Sequence, residues 1–248
     1  GSDGATGATG PQGPAGPTGA TGPQGPADTT SQTEITALKA QLALLTPPVQ
    51  QQYSIAPAQT FYDLAGDTNF LYSLNSFPND STLTKLSAAN GSIVFQISLG
   101  EQSTKTLVEG NNLWLMNAGT ITKRNASDGA KIVTYTAGTT LKGMAFDGTN
   151  LWAIKANGTV LRVSGAGTLL SSTPVDTAPQ DILFDGTSIW VVSFGTSTAT
   201  KFDLSGAVIG IYPVCSAPTG LSFDGTYVYA VCPGTQTVKK LLATDGSN

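Results

Sequence analysis

The sequence predicts an all-β head made of five repeated units of short strands, carried on a fibrous N-terminal segment. Three observations predict it. Glycine falls on every third position of the first 27 residues, two separate series of turn glycines divide the remainder into the same number of units, and alternating apolar runs lie between those glycines.

The N-terminal segment comes first. Glycine occupies positions 1, 4, 7, 10, 13, 16, 19, 22 and 25. Only glycine fits at the crowded axis of three polyproline-II strands, so residues 1–27 are read as a collagen triple-helical stalk, roughly 80 Å long at about 3.1 Å per residue. A disordered linker would not hold that period. Pro11, Pro14, Pro17, Pro23 and Pro26 each follow a glycine, and the third triplet position carries Thr, Gln, Ala or Asp. Such a stalk does not depend on hydroxyproline, and its Gly-Ala-Thr and Gly-Pro-Gln triplets resemble bacterial and viral collagens.

Residues 28–46 read as a short trimerising helix. Ser31 and Glu34 form a capping box, and Ile35, Leu38, Leu42 and Leu45 follow at coiled-coil spacing before Pro47 and Pro48 end the run. A lone helix of about 14 residues is marginal in water. Three copies gathered by the stalk would bury the apolar seam, while the competing reading packs the same stripe on the chain's own C-terminal domain. Residues 47–50 form a proline hinge.

Residues 51–248 repeat. Gly66, Gly110, Gly148, Gly186 and Gly225 precede Leu71-Tyr72, Leu113-Trp114, Leu151-Trp152, Ile189-Trp190 and Val228-Tyr229. A second series, Gly91, Gly129, Gly167, Gly206 and Gly246, gives the same five units, and both recur every 38 to 44 residues. Asp-Gly between alternating apolar runs is a strong hairpin signal, and four strands in about 40 residues match a β-propeller blade. The fifth unit ends at Gly246 without a fourth strand, whereas Tyr53-Ser54-Ile55-Ala56-Pro57 copies the missing spacing. The expected head is therefore a five-bladed β-propeller closed by residues 51–57, which would leave no unpaired edge.

The wording Phe-Asp-Gly-Thr-x-hydrophobic-Trp over residues 50–246 resembles propeller repeats of the NHL and streptogramin-lyase-like type. That resemblance implies the fold. It does not carry the lyase activity, which uses a histidine base, because this chain has no histidine.

The same absence excludes Ser-His-Asp and Cys-His nucleophiles and histidine-bearing zinc sites. With a net charge of −4 and only two arginines, nucleic acid is not an expected partner. No apolar run reaches the roughly 20 residues of a membrane helix, so membrane insertion is not expected either. No cofactor or metal is expected. The low charged fraction, 11%, suits an extracellular setting.

Asp147, Asp185 and Asp224 could ligate a metal or act as acids, but each precedes Gly-Thr in a tight turn, where Asp bonds its own backbone. Trp114, Trp152, Trp190, Tyr72 and Tyr229 could stack sugars, but their equivalent place in every unit favours packing between blades. Cys215 and Cys232 end strands on the same face of neighbouring units and are a candidate disulfide.

The first unit alone has a surplus, which falls in Asn75-Ser76-Phe77-Pro78-Asn79-Asp80-Ser81 and is read as a long loop between its second and third strands. Asn75, Phe77 and Asp80 are the candidate ligand-binding residues, since loops carry binding more often than scaffolds do. Together these features lead us to expect a homotrimeric attachment protein of a phage virion or a bacterial cell or spore surface. It would resemble phage tail-fibre or collagen-like surface proteins, and its head would bind a cell-surface glycan or protein receptor. The alternatives are a structural coat component without a ligand and a carboxylate-dependent lyase or hydrolase.

Overall fold

A computed structural model describes Gly1, residues 3–13, residues 60–77 and residues 80–247. Contacts divide the chain into Gly1–Gln52 and Tyr53–Asn248. In the first unit the described residues carry no helix or strand and are exposed. The expected helix, the hinge and the closing strand at 51–57 lie outside the described residues.

The second unit is all β. The first sheet holds β1 (Thr60–Gly66), β2 (Phe70–Phe77), β3 (Asp80–Ser87) and β4 (Ile93–Ser98). The second holds β5 (Ser103–Glu109), β6 (Asn112–Asn117), β7 (Thr120–Asn125) and β8 (Lys131–Thr136). The third comprises β9 (Leu141–Phe146), β10 (Asn150–Lys155), β11 (Thr159–Ser164) and β12 (Leu169–Pro174), and the fourth β13 (Pro179–Phe184), β14 (Ile189–Ser193), β15 (Thr198–Phe202) and β16 (Val208–Pro213). The last has three strands, β17 (Gly220–Phe223), β18 (Tyr227–Cys232) and β19 (Thr237–Leu242). In every sheet the strands pair antiparallel in chain order.

Turn chemistry explains the period. Gly110, Gly148, Gly186 and Gly225, between first and second strands, have φ from 53° to 98°, and Gly91, Gly129, Gly167, Gly206 and Gly246 have φ from 71° to 100°. An L side chain is strained there, so glycine marks each reversal. Gly66 departs from its series. It ends β1, and a Cβ there would lie 2.9 Å from a Leu71 methyl, so close approach rather than left-handed backbone demands it.

The core lies between sheets rather than within them. Trp114, Met116 and Ile121 of the second sheet pack on Leu151, Ala153 and Val163 of the third, and Trp152, Ile154 and Val160 repeat the arrangement against Ile189, Val191 and Phe202. Trp190 and Val192 do the same against Val228 and Ala230. Two end faces differ. Leu64 of β1 is 61% exposed and Val238 of β19 is 60% exposed, although Ile182 and Ala199 at the equivalent positions of the fourth sheet are buried.

Candidate ligand-binding face

Five acid–aromatic pairs account for the side chains that looked chemically suggestive. In Asp147 one carboxylate oxygen accepts from the Thr149 and Asn150 amides at 2.7 and 2.6 Å, and the other accepts from Trp152 Nε1 at 2.7 Å. Asp185 repeats this with Thr187, Ser188 and Trp190, and Asp224 with Thr226, Tyr227 and the Tyr229 hydroxyl. Glu109 accepts from Trp114 Nε1 at 2.6 Å. Asp67 takes the turn amides of Asn69 and Phe70 and bonds Tyr72, whose hydroxyl is pushed up to about 12, first by burial and then by that carboxylate. Burial pushes the Asp147 and Asp185 carboxyls upward, but the donated hydrogen bonds outweigh it and both fall below the ordinary value.

A base completes each unit. Lys85, Lys123, Arg162, Lys201 and Lys240 stand directly across the strand pair from Tyr72, Trp114, Trp152, Trp190 and Tyr229. The first four also donate to a backbone carbonyl of the following sheet, as Lys85 does to Ala126 at 2.8 Å and Lys201 to Ala243 at 2.6 Å. Most of these acids, aromatics and bases thus join turn, sheet and neighbouring sheet, which gives them a structural role. Among the described residues no group of three or more Asp, Glu, Cys or His could hold a metal.

The opposite end of each sheet carries the hairpins between second and third strands and the connections between sheets. Hydrogen bonds bring them together: Ala137 N to Gly119 O at 2.9 Å, Ala156 N to Thr140 O at 2.8 Å and Phe194 N to Ala178 O at 3.0 Å. The Cys215–Cys232 disulfide lies here, with Cα atoms 5.8 Å apart, and ties the fourth sheet's exit to the end of β18.

The proposed loop of the first unit is corrected by the structure. β2 runs through Phe77 and β3 starts at Asp80, with Asn75 paired to Thr82, Ser76 to Ser81 and Phe77 to Asp80. The surplus residues became extra rungs of the ladder, because pairing satisfies backbone groups that a loop would leave to water. Only residues 78 and 79 remain between the strands. Asn75 is inside β2, 1% exposed, and its Oδ1 accepts from Ser73 Oγ at 3.1 Å. Phe77 and Asp80 flank the turn. The structure thus brings Phe77 and Asp80 together and sets Asn75 apart in the interior.

Sequence reasoning missed two features. The acid-to-aromatic spacing of five residues is constant in all five units and was visible as a pattern. Four non-glycine residues also hold φ between 54° and 58°: Ala178, Ser197, Ala217 and Gln236. All four lie in hairpins or connections of this one face, in the fourth and fifth units. Gly100, Gly138 and Gly158, at corresponding turns of earlier units, share the conformation and supply the signal.

Solved structures match this arrangement. The chain is similar to BamB from Moraxella catarrhalis, with TM-score 0.59 and 15% identity, over 76% of this chain and 60% of that one. It is similar to the computationally designed Ika8 protein, with TM-score 0.55 and 15% identity, over 74% of this chain and 71% of that one. The head resembles a β-propeller. The designed Ika4 protein matches at TM-score 0.50 and 15% identity, over 66% of this chain and 98% of that one. This propeller-like chain thus spans about three fifths of the length of the BamB chain. No protein-family model and no curated protein matches it.

Proposed function

We propose that the chain is a homotrimeric, extracellular stalk-and-head attachment protein of a virion or bacterial surface, whose propeller-like head binds a cell-surface glycan or protein. The observation that carries this reading is the unbroken run of nine Gly-X-Y triplets in front of a histidine-free repeat head. Three weak sites on one stalk convert later binding events into nearly intramolecular ones and raise avidity by about 10²–10⁴. Ligand contact falls on the hairpin face, where Phe77 and Asp80 flank the β2–β3 turn. Asn75 supports that hairpin from within.

In this reading the head is a five-bladed ring, with residues 51–57 as the fourth strand of the last sheet. The three-stranded fifth sheet favours it, since residues 51–57 would supply its fourth strand; closure would also have to bring together the Leu64 and Val238 faces, which stand exposed at the two ends. Sedimentation of the whole chain tests the trimer, and binding of that trimer to host cells, compared with a version lacking residues 1–46, tests the avidity. A monomeric whole chain, or equal cell binding by both, overturns the proposal.

A further inference from the structure

We propose that the corner formed by the β14–β15 hairpin and the β12–β13 connection is a saccharide-binding subsite with Phe194 as its stacking platform. This rests on the attachment reading above and names where the head grips and what it grips.

The repeat exposes Phe194 as an anomaly. Four residues beyond the repeated aromatic of each second strand stand Ser76, Ala118, Ala156, Phe194 and Pro233. Small residues or proline satisfy that position in the other units, so the scaffold has no need of a phenyl ring there. The ring is 49% exposed and belongs to no core cluster. Every other exposed large apolar side chain among the described residues lies within a strand, on an outer strand or on one of the two end faces. Among the apolar side chains whose exposure is described, Phe194 alone projects from a hairpin.

Its backbone is held from several sides. Phe194 N donates to Ala178 O at 3.0 Å and Gly195 N to Thr177 O at 3.1 Å, while Ser197 N returns to Ser193 O at 3.0 Å and Val214 N donates to Ser197 O at 2.9 Å. Gly195 is obligatory, because a Cβ there would meet the Thr177 carbonyl at 2.9 Å as well as its hydroxyl. Ala178 and Ser197 hold φ of 55° and 58° on either side of the ring. Strain in non-glycine residues persists only where surroundings enforce it, and it gathers where geometry matters for function. Binding to such a corner forfeits little ordering entropy.

The chemistry around the ring suits a sugar. Thr198 Oγ1 donates to Asp176 Oδ2 at 2.6 Å, Gln180 Nε2 donates to Ala178 O at 3.2 Å, and Thr177 and Thr196 are exposed. An aromatic face takes the C–H side of a pyranose, while hydroxyl, carboxamide and carboxylate groups at its border exchange hydrogen bonds with the ring hydroxyls. With no lysine or arginine from residue 176 through 200, a neutral saccharide fits better than a phosphorylated or sulfated one.

The test uses the full chain and its Phe194→Ala and Phe194→Trp variants. Each is titrated against immobilised neutral hexose and N-acetylhexosamine oligosaccharides, and against host cells. Phe194→Ala should lose about tenfold or more in binding to the oligosaccharide that the parent binds. Phe194→Trp should keep it, and the new indole's fluorescence should shift on titration, which reports directly on the ring and guards against a misfolded alanine variant. Parent binding to a saccharide that Phe194→Ala leaves unchanged, or an unshifted tryptophan, overturns the subsite while leaving attachment intact. Cell binding that depends on Phe194 without any saccharide binding overturns the saccharide class in favour of a protein partner. A parent that binds neither cells nor saccharides overturns the attachment reading itself.

Discussion

Trp152 Nε1 donates to the Asp147 carboxylate 2.7 Å away, five residues upstream and across a tight turn. The bond makes one side chain both the clasp of a hairpin and the anchor of the largest ring between two sheets. Removing the acid strands a buried indole N–H as well as two turn amides. Asp147→Ala and Asp185→Ala should each cost about 3 kcal/mol in denaturant unfolding. Asp224→Ala, at an exposed turn, should cost clearly less. Equal losses at all three would show that the turn bonds, and not the indole bonds, dominate.

The same carboxylates set an acid limit. Their folded pKa values lie below the unfolded ones, so their stabilisation is present above the unfolded value of about 3.9 and is lost as pH falls through the folded values. Stability measured by thermal melting should therefore fall steeply below about pH 4. Asp181 has the opposite sign. Burial raises its carboxyl despite amide donation from Leu221 and Ile182 and the nearby Lys105, so ionisation there opposes folding. Asp181→Asn should keep an acceptor for Leu221, and at neutral pH it should match or exceed the parent in melting temperature. A markedly less stable Asp181→Asn would place the ionised oxygen among the supports of the fold.

Lys201 joins the fourth sheet to the fifth through the carbonyls of Ala243 and Thr244, at 2.6 and 3.1 Å, while its ammonium lies 5.2 Å from the Trp190 ring. Lys201→Met retains the stem and removes the charge. A loss of about 2–3 kcal/mol is expected from the unmade bonds and the cation–π contact. Lys240, exposed on the last sheet, should tolerate the same change with little effect in the same denaturant series.

The Cys215–Cys232 disulfide closes a segment of sequence separation 17, for which loop-closure entropy predicts about 3 kcal/mol. Cys215→Ser with Cys232→Ser should lower the melting temperature and leave the strand content seen by circular dichroism unchanged. Loss of β structure in that pair would mean that the fifth sheet depends on the covalent tie to form at all.

Phe77→Ala and Asp80→Ala test the first-unit hairpin separately from Phe194. Each should weaken cell attachment of the trimer while leaving the unfolding free energy within about 1 kcal/mol of the parent's. Asn75→Ala should instead destabilise the head, because a buried amide and its bond from Ser73 are lost. Reversed results, with Asn75→Ala stable and non-binding, would put the ligand inside the hairpin.

Local chemistry determined much of this protein from sequence alone. Left-handed glycines at two places in four of the five units and alternating apolar runs are short-range properties, so strand number, turn position and the burial of Trp114, Trp152 and Trp190 could all be read without coordinates. Tertiary structure decided what local rules leave open. Whether the surplus around Phe77 stays a loop or lengthens β2 and β3 depends on whether two strands find enough partners to extend the ladder, and they did. Which base reaches the next sheet's carbonyl depends on sheets stacking side by side. Phe194 looked like one apolar residue among many until packing buried the others or confined them to strands and left this ring on a rigid corner, because exposure is a property of the assembled surface and not of the residue.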